Sequence, residues 1–147
     1  MDQLIVRKKM KKLLVALTVC STVLALVSCQ SKITVEEGIA SVDWLPSSAS
    51  DISYSESRGW KAYECKMTEA SFVAWVEADG LNPVEITQPV RIFRYNWLTA
   101  AKSTPRDETS HEITRGLHMQ DISPGGAGYD LGFDRDEEKV YYHYQAH

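Results

Sequence analysis

Residues 60–80 read WKAYECKMTEASFVAWVEADG, and the spacing of their apolar side chains changes at Thr68. Before that point Tyr63, Cys65 and Met67 alternate with more polar residues, as side chains do on a half-buried strand. Beyond it the apolar residues recur at every third or fourth position, which is the spacing of a helix. The stretch therefore predicts a strand that leads directly into a helix.

The helix is predicted over Glu69 to Asp79. Thr68 can cap its first turn, and an acidic Glu69 suits the positive end of a helix. Gly80 fits the left-handed conformation that commonly ends a helix. The apolar residues of this segment fall on one face: Phe72, Trp75 and Val76. We expect that face, Trp75 included, to pack on a sheet, with stacking of Trp75 on a ligand as the alternative.

Four more segments alternate or are rich in strand-forming residues: 51–55, 90–98, 129–133 and 139–145. The first pairs with the strand at 60–67 through the turn at 57–59, and the last two form a hairpin around the acidic turn 134–138. Residues 111–115 suggest a weaker edge strand. The predicted fold class is α+β: a small antiparallel sheet of about five strands with one main helix packed on one face.

The segment 90–98 carries the candidate binding residues Arg91, Arg94, Tyr95 and Trp97. On a strand, Arg91, Tyr95 and Trp97 would point to one side and Arg94 to the other. Two interpretations are open. The segment is either a central strand whose arginines pair with carboxylates, or an aromatic platform on which Arg91 or Arg94 holds an anionic or sugar-like ligand.

The beginning of the chain is typical of an export signal. A basic run at residues 7–12 precedes an apolar run at 13–27 and then Ser28 and Cys29. Leu26-Val27-Ser28-Cys29 resembles the lipobox of bacterial lipoproteins. The resemblance implies that residues 1–28 are removed and that Cys29 is lipidated. Acyl chains on Cys29 would then anchor the protein to a membrane without a spanning helix.

An uncleaved membrane span is the alternative to this anchor. The apolar run has 15 residues, whereas a span needs roughly 20. Under the lipoprotein interpretation, residues 29–42 are the lipidated cysteine and a tether, and 43–147 form a single globular domain. Gln30 follows the cysteine, which by resemblance favours the periplasmic face of the outer membrane in a two-membrane bacterium. In a bacterium with one membrane, the same protein would lie on the outer cell surface.

Charge and cysteine content restrict the partners and the chemistry. Without residues 1–28 the chain has 11 basic and 19 acidic residues, so nucleic acid and anionic lipid headgroups are poor partners. Cys20 would be removed with residues 1–28, and Cys29 would be lipidated. Cys65 alone remains, so no internal disulfide can form, and the strand pattern makes Cys65 a core thiol rather than a nucleophile.

Recognisable catalytic and metal motifs are missing from the sequence. The glycines at 125–128 lack the lysine and serine or threonine of a phosphate loop, and the acidic turn at 134–138 lacks the spacing of a calcium loop. We predict no metal site, no cofactor and no catalytic residues. An enzyme would have to pair scattered groups, such as Glu64 or Asp130 with His111 or His143.

A loose pattern across residues 45–144 is similar to that of small exported bacterial proteins of unassigned function, and it implies a single domain without implying an activity. Its residues are Tyr63, Glu64, Glu69, Phe72, Trp75, Glu85, Ile86, Ile92, Arg94, Tyr95, Tyr129, Asp130, Tyr141 and Tyr142. The predicted function is a non-catalytic binding or interaction module at the bacterial cell envelope, with an envelope protein or a small ligand as partner. The alternatives are a small hydrolase-like envelope enzyme and a structural subunit of an envelope complex, which would expose a large apolar patch.

Overall fold

A computed structural model describes residues 33–96 and 109–146. In these ranges the chain forms nine strands and one helix of more than one turn. In chain order they are β1 (Thr34–Ile39), β2 (Ser50–Ser57), β3 (Trp60–Lys66), α1 (Glu69–Ala78), β4 (Val84–Glu85), β5 (Val90–Phe93), β6 (Ser110–Ile113), β7 (Gly116–Ile122), β8 (Gly128–Asp134) and β9 (Lys139–Gln145). Most of the described chain is therefore extended.

Seven strands form one antiparallel sheet in the order β1-β2-β3-β9-β8-β7-β4. Tight turns join β2 to β3 and β8 to β9, and the two hairpins meet along the β3–β9 pair, where Cys65 lies opposite Val140. The remaining two strands, β5 and β6, form a separate two-stranded ribbon. The middle of the sheet is thus assembled from segments that are far apart in sequence.

Helix α1 covers one face of the sheet. The Thr68 side chain accepts a hydrogen bond from the Ser71 amide and caps the helix. Phe72 is fully buried and stacks on Phe133 of β8 with ring centroids 5.4 Å apart, and Val76 is buried beside it. Burial of these side chains holds the helix on the sheet.

The β5–β6 ribbon covers the opposite face. Ile92 and Ile113 are fully buried there against Tyr141. They lie directly over Gly132, where an added Cβ would come within 2.6 Å of Ile113 Cδ1 and 2.7 Å of Ile92 Cδ1. Glycine at this position allows the ribbon to approach the sheet closely.

The α+β prediction with about five strands is wrong. Strands make up 51% of the described residues and the single short helix 11%, so the fold is β-rich. The predicted helix position agrees with α1, and the hairpin of 129–133 with 139–145 agrees with β8 and β9. Strand β6 overlaps the edge strand suggested at 111–115. The strands that were not expected are β1, which lies in the segment assigned to the tether, and β7.

The segment 90–98 is not a central strand of the sheet. Its extended part ends at Phe93, and it pairs only with β6 among the described residues. Within the same residues, no helix is long and apolar enough to cross a membrane.

Candidate functional site

A cleft of about 280 Å³ opens on the helix side of the sheet, next to the end of α1. We call it the aromatic cleft. Its floor and walls come from the loop before β2, from three neighbouring strands and from α1 with the turn that follows. The lining residues are Trp44, Lys61, Tyr63, Trp75, Val76, Asp79, Leu81, Tyr129, Leu131 and Tyr142.

Three tyrosines form a row across the floor, and we call them the tyrosine row. Tyr63 on β3 lies opposite Tyr142 on β9, and Tyr129 on β8 lies diagonally from Tyr142 on the same face. The Tyr63 and Tyr142 rings stack at 4.6 Å and 19°, and those of Tyr142 and Tyr129 at 6.4 Å and 19°. Because strand side chains stand roughly perpendicular to a sheet, their hydroxyls point away from the backbone and into the cleft.

The hydroxyls of the tyrosine row have no hydrogen-bond partner among the described residues. None of the three oxygens is among the polar atoms sealed from solvent without a partner in this part of the protein. A tyrosine hydroxyl near apolar surroundings usually finds a partner. These three remain available to a ligand in the cleft.

Burial makes ionisation of two tyrosines of the row, Tyr63 and Tyr142, still less favourable than that of an ordinary tyrosine. It raises the pKa of Tyr142 to about 12 and that of Tyr63 well above the ordinary value, with further contributions to Tyr63 from Cys65, Tyr142 and Asp79. Both hydroxyls are therefore neutral at physiological pH and can donate as well as accept a hydrogen bond.

Lys61 is the basic residue among the described residues that line the cleft. The Lys61 Nζ atom lies 3.6 Å from the centroid of the Trp44 ring, in a cation–π contact. Burial lowers the pKa of Lys61, and the charge of Glu56 acts in the opposite direction. Trp75 packs against the core as expected, and its ring meets Phe72 edge-on at 6.4 Å. It is only half-buried and also lines the cleft.

The structure does not bring the candidate binding residues of 90–98 together at one site. Arg91 forms an exposed ion pair with Glu112 at 3.1 Å, and the Tyr95 hydroxyl donates to Glu37 Oε1 at 2.7 Å. Trp97 and Cys29 lie outside the described residues. The ribbon that carries Arg91 covers the face of the sheet opposite the aromatic cleft.

Arg94 belongs to a group of three charges around the buried Glu64, which we call the ion trio. Its Nη2 atom donates to Glu64 Oε1 at 2.8 Å, and Lys139 Nζ lies 2.7 Å from Glu64 Oε2. Glu64 is only 1% exposed. Arg94 thus pairs with a carboxylate of β3, in agreement with the interpretation in which the arginines of 90–98 pair with carboxylates.

Two histidine–carboxylate pairs lie outside the aromatic cleft. His111 Nε2 is 2.7 Å from Asp134 Oδ2, and His118 Nε2 is 2.6 Å from Asp130 Oδ1. Asp130 lies opposite His143 in the sheet, but His143 Nε2 accepts a hydrogen bond from the Trp60 indole at 3.2 Å. Asp130 still acts electrostatically on His143: its charge raises the pKa of His143, against the larger lowering effect of burial. His111, in contrast, pairs with Asp134 rather than with Glu64 or Asp130.

The aromatic cleft was not predicted from the sequence, because its parts come from distant segments. The only available signal was the number of tyrosines in the strands at 60–67, 129–133 and 139–145, whose register places three of them in a row. Comparisons of the chain with protein-family models, with curated proteins and with solved structures find no match.

Proposed function

We propose that the protein is a bacterial lipoprotein anchored through Cys29, whose domain binds a small ligand in the aromatic cleft without catalysing a reaction. The observation that carries the binding role is the tyrosine row, in which three unpaired hydroxyls share one cleft. A largely apolar pocket with a few convergent polar groups is the usual form of a small-molecule site.

The chemistry of the lining favours a neutral, polyhydroxylated ring compound such as a saccharide. The indole ring of Trp75 offers apolar surface to the C–H face of a sugar, and the tyrosine row can exchange hydrogen bonds with its hydroxyls. Asp79 adds one acceptor of hydrogen bonds at the end of α1. A ligand of this class would satisfy the groups that the protein leaves unpaired.

The structural-subunit alternative receives less support from the described residues. Their exposed aliphatic side chains are Ile33, Val35, Val84 and Ile122. Ile33 and Val35 belong to the β1 edge of the sheet, whereas Val84 and Ile122 belong to the β4–β7 edge. These side chains are divided between opposite edges, so they do not form one large patch.

Removal of tyrosine hydroxyls tests the binding role. We expect Tyr63→Phe and Tyr142→Phe each to weaken saccharide binding about 3- to 10-fold, since a net hydrogen bond contributes roughly 0.5–1.5 kcal/mol. The measurement is an NMR titration with neutral mono- and disaccharides, following the indole N–H signals of Trp44 and Trp75. Tyr144→Phe is the matched control, because Tyr144 is an exposed residue of β9 outside the lining. Binding that is unchanged in both variants, or no response at about 10 mM sugar, contradicts this role.

The anchor is tested by intact-mass analysis and membrane fractionation of the full chain expressed in a bacterium. We expect a form that begins at Cys29, carries acyl mass and sediments with the membrane. Cys29→Ser should abolish both properties, because the sulfur that accepts the lipid is gone. Cys20→Ser is the control, since that residue lies in the segment expected to be removed. An unmodified Cys29 in the native chain refutes the anchor and leaves the cleft proposal standing.

A further inference from the structure

A second cluster of polar side chains lies on the ribbon side of the sheet, away from the aromatic cleft. His111 on β6, Asp134 at the end of β8 and Glu137 in the turn before β9 bring three ligand-type atoms within 4.8 Å of one another. His111 Nε2 and Asp134 Oδ2 are 2.7 Å apart. Possible metal-ligand atoms from three separate segments thus lie close together.

The two carboxylates of this cluster have no arginine or lysine partner among the described residues. The neighbouring acidic groups do have one: Glu64 pairs with Arg94 and Lys139, Glu69 and Glu85 pair with Arg135, and Asp136 pairs with Arg115. Asp134 has a side chain only 7% exposed. A carboxylate so buried needs a compensating positive charge, and among the described residues His111 is the basic group placed to give it, by carrying a second proton or by sharing a metal ion.

Each of the three side chains is held in place by a second contact. Asp134 Oδ1 accepts the backbone N–H of Asp136 at 2.8 Å, which leaves Oδ2 facing His111. Glu137 Oε2 accepts the Tyr141 hydroxyl at 2.6 Å, and the His111 ring stacks on Tyr141 at 4.2 Å and 11°. Outer contacts of this kind orient the ligands of protein metal sites.

We propose that His111, Asp134 and Glu137 form a three-ligand site for a divalent transition-metal ion, with water in the remaining positions. One imidazole nitrogen with two carboxylate oxygens suits Zn²⁺ or a similar first-row ion, whereas Ca²⁺ prefers six to eight oxygens. The ion would take the place of the proton between His111 and Asp134 and would supply positive charge to both carboxylates. It would also tie the β5–β6 ribbon to the β8–β9 hairpin. The site was not expected from the sequence, because its ligands follow none of the usual spacings.

The test uses the full chain, purified in detergent without a polyhistidine tag, freed of metal with a chelator and titrated with ZnCl2 by calorimetry. We expect one ion per chain and a rise in the thermal unfolding temperature. Glu137→Gln and His111→Gln should each weaken zinc binding at least about 10-fold. Glu137 is exposed, so its variant keeps the test valid even if His111→Gln disturbs folding.

Two controls give the test its specificity. His118→Gln removes the other histidine–carboxylate pair, that of Asp130, and should leave zinc affinity unchanged. CaCl2 should give no comparable binding or stabilisation. The proposal is overturned if the native chain binds no zinc at about 100 µM. It is equally overturned if both Glu137→Gln and His111→Gln bind zinc as the native chain does.

Discussion

Replacement of Glu64 with leucine is expected to lower the free energy of unfolding by about 3 kcal/mol. The change removes the only carboxylate of the ion trio and leaves Arg94 and Lys139 without a partner at this position. Breaking a buried ion pair on one side typically costs about 3–5 kcal/mol, because a charge stays behind uncompensated. We expect the lower end of that range, since the Arg94 side chain is 32% exposed and reaches some solvent.

Urea unfolding followed by tryptophan fluorescence measures this loss. The control is Arg91→Ala, which removes an exposed pair with Glu112 and should cost less than about 1 kcal/mol. A variant that also replaces Arg94 and Lys139 with apolar residues should recover most of the stability, because no charge is then left unpaired. If Glu64→Leu and the native chain unfolded at the same urea concentration, the ion trio would not be what holds the β5–β6 ribbon to the sheet.

Truncation of Phe72 to alanine is expected to cost about 3–5 kcal/mol, the usual range for a buried aromatic residue. The ring is fully buried, stacks on Phe133 and meets Trp75, so its removal leaves a cavity between helix and sheet. Since α1 is a wall of the aromatic cleft, the same change should also weaken saccharide binding.

Glu77→Ala is the matched control for this substitution. Glu77 lies on the exposed side of the same helix, and its loss should change stability by no more than about 0.5 kcal/mol. Both variants are compared by urea unfolding and by far-ultraviolet circular dichroism. A cost for Phe72→Ala below about 1 kcal/mol would mean that the helix contributes little to the core.

Local signals in the sequence located the elements whose determinants are close together. Thr68 and Glu69 mark the start of α1, and Cys65 is buried in β3 as its alternation predicted, with its pKa raised by burial to about 12. Strand β1 escaped prediction because it is an edge strand whose residues 35–38 are all exposed, so no alternation appears. Strand β7 begins at Gly116, whose φ is positive, and its alternation is short: only the side chains of Leu117 and Met119 are buried, and residues 120–122 are exposed.

The sites depend on pairings that a single sequence does not reveal. Arg94 and Tyr95 were identified as chemically notable, but their partners Glu64 and Glu37 come from distant strands. The tyrosine row exists only because of the register between β3, β9 and β8. In the same way, the histidine and carboxylates of the proposed metal site become neighbours only when the ribbon lies on the sheet.

The β3–β9 pair at the middle of the sheet has a consequence for the timing of folding. Trp60 and His143, which contact each other across this pair, are 83 residues apart. The β2–β3 and β8–β9 hairpins can form early from local contacts, but closing the long loop between them is slow. During the proposed export, β3 would cross the membrane before β9. It could not pair with β9 until β9 had also crossed. If the chain is exported as proposed, the β3–β9 contacts would stay unmade during most of translocation, and the native sheet would assemble only after β9 had crossed the membrane.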